Sequence, residues 1–580
     1  MNKDMIYDFD EASLIKIEDT KDTVVKEVTA NYILDLDDAA VCMNGLGTLV
    51  VDLTDKVNRR IEGINAKRAD KKYRIKAGML NPDEDEYVAP SIPALASPAP
   101  YMVASLIMVK HHVIRLNYGG TDSSSADMCP IAVYNDEGDY AGVYTTDESD
   151  IESIIRDAVP TISKRGVDEC KAFLRTMAPV KSRCSDSNLI PVNNGIYDYK
   201  NKTLMYFSPE YVFSSKVSTD YNPNAANVVI HNDVDGTDWD IESWMKDLSD
   251  HPEAANLFWQ IIGATVRSNE RWNQAAFFYS TKGNNGKGTL CRLIRNLVGM
   301  QNCCSISLDA MGREFMLSPL LKASAIVVDE NDVGTYIEKS ANLKSIVTGD
   351  SFSINRKHLA PISFSFSGFM IQCLNDAPKF RDKTDSILRR IIFVPFDKCF
   401  TGRERKYIKE DYLGRQEVLE YVLKKVLEDL PEYHSIDTPQ YCIDALADFR
   451  LSNDNVAEFM SEVLDDLQWS AVTWKELYAF YRGWLKKYGA GTDGRACVKY
   501  RDFRSSARTI LDTGAYDWEY HHDDGQFEVD KAERMTYEPL IERLDVENDS
   551  EFRGRINEAG ADLTLFEGMK DRIRGIRRAA

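Results

Sequence analysis

Apolar residues in this chain fall into two kinds of run. Short unbroken runs of strand length occur at Ala275–Tyr279 (AAFFY), Ala323–Val328 (ASAIVV), Gly368–Cys373 (GFMIQC) and Ile391–Val394 (IIFV). The first three close on Ser280, on Asp329-Glu330 and, one residue on, before Asn375. Stretches with helical spacing lie around them, at 37–66, 240–266, 290–298 and 405–465. Buried strands that end in polar residues and alternate with helices predict an α/β fold with a parallel sheet. Its site belongs at the carboxyl ends of the strands.

The flanks read differently. Residues 102–265 are mixed α/β, and 187–207 predicts two short strands about turn-forming Asn and Gly. Pro82, Pro90, Pro93, Pro98 and Pro100 crowd the stretch 81–101, a linker signal. Thr473 and Glu476 form a T-x-x-E capping box that opens a helix expected to reach Lys487. A helix is expected at 500–511, and a hairpin over 518–529 turning at Asp523-Asp524-Gly525. Helix, helix, hairpin is the order of a winged helix. The expected division is 1–101, an accessory region and linker; 102–265; 266–400, the sheet; 401–470, helical; 471–532, winged-helix-like; and 533–580, a tail.

Composition narrows the class. The chain has 580 residues, 43% of them hydrophobic and 28% charged, which is ordinary for globular domains. No apolar stretch approaches the ~18 residues of a membrane span, and the acidic start has no secretory core. The eleven cysteines form no CxxC pair, which fits free thiols in a reducing cytoplasm. Lys+Arg is 71 against Asp+Glu 92, a net charge of −21. Any nucleic-acid contact must therefore use local basic patches or a lined channel. The basic run Lys67, Arg68, Lys71, Lys72, Arg74 and Lys76 reads as a solvated helix face rather than a DNA patch.

Candidate chemistry concentrates after the first buried strand. Lys282, Gly283, Asn284, Asn285, Gly286, Lys287, Gly288 and Thr289 form a Gly- and Asn-rich loop entering a helix, built to wrap phosphate oxygens with backbone N–H groups. Lys287 would reach the β- and γ-phosphates of a nucleotide. The strict phosphate-loop consensus is not met, because Thr281 stands at its first glycine and Gly288 follows the lysine. Mg²⁺ is then held through Thr289 or through water. Asp329 at its strand end suits Mg²⁺, and Glu330 suits polarising a water. Asn375 suits orienting that water. Arg389 or Arg390 could supply transition-state charge to a neighbouring subunit. Between the second and third strands, Arg356, Lys357 and His358 sit at the tip of an expected hairpin that could track a phosphate backbone.

Phosphate loop, acidic strand end, basic hairpin, Asn-ended strand and paired arginines occur in that order over about 120 residues. The series resembles a superfamily 3 helicase, an AAA+ ring motor. NNGKGT, GDSFSINRKH, NDAPKF and ILRRIIFVPF are similar to the phage and poxvirus primase-helicase family in particular. Upstream, LIPVNNGIYDYKNKTL and LFWQIIGATVRSNERW resemble that family's helicase-associated N-terminal domain. The resemblance implies an AAA+ P-loop core, ATP and Mg²⁺ dependence, a homo-hexamer, binding of single-stranded and forked DNA, with origin duplex as a further partner, and unwinding with 3′→5′ polarity. It makes Asp329-Glu330 the Walker B pair, Asn375 sensor 1, Arg389 or Arg390 the arginine finger, and Lys357-His358 the pore-hairpin tip. It also implies that Lys499, Arg501, Arg504 and Arg508 lie on the DNA-reading helix of a C-terminal domain, where docking to a protein is the competing role. The acidic Glu519, Asp523, Asp524, Glu528 and Asp530 of the expected wing oppose DNA contact. The basic last eleven residues read as a DNA-contacting or solvated tail.

The expected function is an ATP-dependent replicative helicase or initiator of a phage or mobile element, acting in the cytoplasm, with 1–100 open to a replication partner. The rivals are a non-unwinding origin-binding or loader ATPase, an AAA+ remodeller of proteins, and a primase-helicase. Against the last, the nearest carboxylate pair before residue 101, Asp35 and Asp37, reads better as an acidic helix entry.

Overall fold

The computed structural model describes residues 19–79, 88–119, 128–332, 336–337, 340–357, 359–375, 379–380, 385–453, 455–488, 497–529, 538–550 and 572–579. At its centre is a five-stranded parallel sheet. Its order is Cys303–Cys304, Ala325–Val328, Phe369–Leu374, Ala275–Tyr279, Ile391–Pro395. The strand Ala275–Tyr279, fourth in that order, pairs on both sides, with Phe277 opposite Gln372 on one neighbour and Phe393 on the other. Alternate residues enter two cores. Ala276, Phe278, Val327, Ile371 and Val394 face the helices Ala254–Val266, Lys287–Val298 and Gln416–Lys424. Phe277, Ile326, Val328, Met370 and Phe393 face the opposite core, which holds Leu343 and Ile346 of the helix Ala341–Thr348 and Phe449 of the helix Gln440–Asn453. Burial on both faces is why these strands read as unbroken apolar runs. The edge strand Cys303–Cys304 has two residues and no readable period.

Upstream, the apparent single helix over 37–66 is two, Asp38–Met43 and Leu46–Lys76, divided at Asn44-Gly45. The longer helix carries the basic run to its end. A helix at Lys21–Asp35 was not expected. Asp37 caps its successor by accepting from Ala40 N at 2.5 Å, so the Asp35/Asp37 pair is helix punctuation. These helices share one core with the helices Pro100–Lys110, Glu148–Ala158 and Lys164–Met177 and a mixed four-stranded sheet. The proline-rich stretch is not a free linker where it is described. Asn65 exchanges two hydrogen bonds with the Ile92 backbone, Asn58 does the same with Leu95, and both apolar side chains are buried. Pro82 lies outside the described residues.

Residues 187–207 form three strands, not two: Leu189–Val192, Gly195–Asp198 and Thr203–Met205 in an antiparallel meander. The helical run 240–266 is interrupted over 248–253, a stretch that holds Pro252, and forms Ile241–Asp247 and Ala254–Val266.

In the C-terminal part the capping box forms as expected. Glu476 N donates to Thr473 Oγ1 at 3.1 Å, and Thr473 N to Glu476 Oε2 at 2.8 Å. The helices Trp474–Tyr488 and Tyr500–Leu511 follow. The expected hairpin over 518–529 does not pair with itself. Trp518–Tyr520 pairs with Gly575–Arg578, and Phe527–Glu528 with Arg572–Ile573. Gly575–Arg578 is the middle strand of its sheet, between Ala471–Thr473 and Trp518–Tyr520, with Ile576 fully buried. Where it is described, the end of the expected tail therefore supplies core structure. Its arginines neutralise the acidic strands: Arg577 binds Glu519 at 2.5 Å and Arg572 binds Glu528 at 2.7 Å.

Candidate nucleotide site

The loop 280–286 leaves the strand Ala275–Tyr279 and enters the helix Lys287–Val298. The helix begins at Lys287, three residues before the expected start, so Lys287, Gly288 and Thr289 form its first turn. First-turn amides lack intrahelical acceptors and sit at the positive end of the helix dipole. Gly286 caps the helix in the left-handed region (φ +91°), and a Cβ there would lie 2.8 Å from Leu248 Cδ2. Asn285 is buried and braces the loop, its Nδ2 donating to Lys282 O at 2.5 Å. The segment after the last sheet strand closes over it from outside. Phe400 N donates to Asn284 O and Asn284 Nδ2 to Glu404 Oε1, both at 2.8 Å.

Lys287 is 5% exposed, and its ammonium donates to Asn375 Oδ1 at 3.0 Å and Ser280 O at 3.3 Å. Burial pushes its pKa below the ordinary lysine value, while Cys373, Cys291 and the Glu330 carboxylate pull the other way. The lysine and the strand-end asparagine, 88 residues apart in sequence, thus meet directly. Glu330 and Asn375 are exposed at the same sheet end.

Asp329 is divided between two environments. Its Oδ2 accepts from Arg295 Nη1 at 2.5 Å, while Arg295 Nη2 donates to Val327 O at 2.7 Å. Its Oδ1 is buried with no hydrogen-bond partner among the described residues. Burial opposes the Arg295 charge, but the Asp329 carboxylate outweighs it and holds the guanidinium pKa above its ordinary value. Arg295 escaped the sequence reading. Its signal is a cation eight residues after Lys287, just over two helical turns on along the same helix. Lys409 was also missed. Its amine lies 3.5 Å from where a Gly288 Cβ would stand, beside the first helical turn.

The two arginines separate. Arg390 Nη1 bonds Ser386 O of its own chain, whereas Arg389 is exposed. The basic hairpin exists as Ser351–Arg356 paired antiparallel with Leu359–Ser365. Lys357 is exposed at its tip, and Arg356 turns back to Ala360 O at 3.0 Å. His358 lies outside the described residues. In the C-terminal part Lys499 and Arg501 are exposed, but Arg504 and Arg508 both pair with Asp524. The expected row of four basic residues is therefore split. Among the described residues no cluster of three or more His, Cys, Asp or Glu is placed to hold a metal by protein ligands alone. No helix among them is long and apolar enough to cross a membrane.

Comparison with known proteins gives two adjoining family matches. Residues 97–265 match the family described as D5 N terminal like, and residues 278–390 match a family of unknown function, DUF5906. A D5 N terminal-like region thus precedes the parallel sheet, and the second match spans the phosphate loop through Arg390. Among solved structures, the A form apo structure of the NrS-1 C-terminal region is 13% identical, with a TM-score of 0.37, covering 71% of this chain and 85% of that one. The A form apo structure of NrS-1 residues 305–718 is also 13% identical, with a TM-score of 0.39, covering 83% of this chain and 100% of that one.

Proposed function

We propose that this chain is the ATP-driven DNA helicase of a phage-type replication system, of the primase-helicase kind, assembling as a homo-hexamer that hydrolyses ATP between subunits. The observation that carries the reading is the meeting of Lys287 with Asn375 at the carboxyl end of the sheet, beside Asp329 and Glu330. The D5 N terminal-like match supports the replication setting.

In this reading residues 282–289 cradle the phosphates, and Lys287 neutralises the β- and γ-oxygens. Thr289 and Asp329 would hold Mg²⁺, which fits the unpartnered Oδ1 of Asp329. The ion, when bound, supplies further charge stabilisation on the phosphates. Arg295 holds the other carboxylate oxygen and so fixes which way Oδ1 points. Glu330 polarises the attacking water and Asn375 orients it. Of the two arginines, Arg389 is the finger offered to a neighbouring subunit, because Arg390 is committed to Ser386. Lys357, with His358, grips one DNA strand, and Lys499 and Arg501 give a second contact. The segment 266–400 is the motor, with 102–265 and the C-terminal part as its flanks.

Hydrolysis of Mg-ATP with and without single-stranded DNA tests this. The parent should turn over ATP and be stimulated by DNA, and Lys287→Ala should abolish both rates. A parent that binds no nucleotide would refute the assignment.

A further inference from the structure

The basic hairpin is fastened at its base to the D5 N terminal-like region. Ser365 N donates to Tyr118 O at 3.3 Å, and Ser365 Oγ to Gly119 O at 3.2 Å. Phe364 is fully buried, with its ring 5.4 Å from Tyr118 and 5.7 Å from Phe352. Arg183 closes the joint. It follows the strand Val180–Ser182, and its own backbone N–H bonds Asn117 O at 2.9 Å. Its Nη2 donates to Ser365 O at 2.8 Å and to Ser367 Oγ at 2.5 Å. The guanidinium also stands over the rings of Phe364, at 5.7 Å, and Tyr118, at 5.9 Å. Gly368, immediately after, starts the approach to the strand that ends beside Asn375; a Cβ there would meet Ser324 O at 2.2 Å. The joint therefore lies between the hairpin and the strand that reaches the nucleotide site.

One nitrogen, Nη2, meets both acceptors while the planar guanidinium lies over two rings; a lysine ammonium can reach the acceptors but has no plane to pack on the rings. We propose that Arg183 is a positioning residue that pins the hairpin base to the upstream region, so that the tip works on DNA against a fixed frame. This rests on the DNA-motor reading above. It assigns the D5 N terminal-like region a mechanical part in DNA engagement rather than a passive flank.

The test is ATP turnover at rising concentrations of a single-stranded oligonucleotide, using full-length parent, Arg183→Met, Arg183→Lys and Ser367→Ala. Arg183→Met should keep the DNA-free rate and lose DNA stimulation about tenfold, the scale of one lost charged hydrogen bond. Arg183→Lys should recover part of it, and Ser367→Ala should fall between Arg183→Met and the parent. Ser367→Ala removes a single acceptor, so the test survives if Arg183→Met fails to fold. A parent with no DNA stimulation would sink the motor reading itself. A stimulated parent with Ser367→Ala and Arg183→Met indistinguishable from it would overturn the latch. Equal loss of DNA-free and DNA-stimulated rates would reduce Arg183 to a folding role and overturn it as well.

Discussion

Lys287 is costly to bury, and the fold tolerates it because two oxygens meet its ammonium. Its placement depends on Gly286, whose left-handed backbone turns the loop into the helix. Gly286→Ala adds a Cβ against Leu248 and about 1–2 kcal/mol of backbone strain. The expected outcome is nucleotide affinity reduced about tenfold or more, beyond the modest fall in melting temperature that the strain itself brings; unchanged affinity in a fluorescent-nucleotide titration would count against the loop. Arg295 predicts a different signature. Arg295→Met frees Asp329 Oδ2 and should lower kcat about tenfold while KM for ATP moves little, because a charged hydrogen bond contributes about 1.5–3 kcal/mol. A change in KM alone would make Arg295 a binding residue instead. That Lys287, Asp329 and Asn375 share one end of the sheet was legible because each closes or follows a buried apolar run. Arg295 and Lys409 were not, since their meaning comes from what faces them across the fold.

Elements were legible where burial and local chemistry agreed. The first apolar run forms a strand at Ala275–Tyr279, and the capping box forms atom for atom. Reading failed where pairing is long-range. Asp523-Asp524-Gly525 does carry turn chemistry, with Asp524 left-handed at φ +59° and Asp523 Oδ1 accepting from Gly525 N. A turn nonetheless says nothing of which strand lies alongside, and here the partner comes from residues 572–578. The same fact turns a presumed tail into a stability element. Ile576→Ala should cost about 2–5 kcal/mol in the C-terminal part, as for other fully buried isoleucines. Denaturant unfolding followed by tryptophan fluorescence checks this, and ATP turnover without DNA should be retained at ambient temperature. A variant as stable as the parent would mean the strand is dispensable.

At the scale of the whole molecule, a net charge of −21 excludes a diffuse basic surface, so in the proposed reading DNA contact is confined to local exposed cations, Lys357, Lys499 and Arg501. Assembly brings a further expectation. If Arg389 completes a neighbour's site, Arg389→Ala and Lys287→Ala should each be inactive alone. Mixed, they should recover part of the turnover, because Arg389→Ala subunits still offer an intact loop and Lys287→Ala subunits an intact finger. No recovery on mixing would place Arg389 outside the interface. The most direct test of the central claim is strand displacement on a forked DNA labelled at one end, with ATP and Mg²⁺. The account predicts that the parent unwinds the fork, that Lys287→Ala loses unwinding together with ATP turnover, and that Lys357→Ala loses unwinding while DNA-free turnover persists. A parent that hydrolyses ATP in response to DNA yet never separates the strands would contradict it and leave a loader in its place.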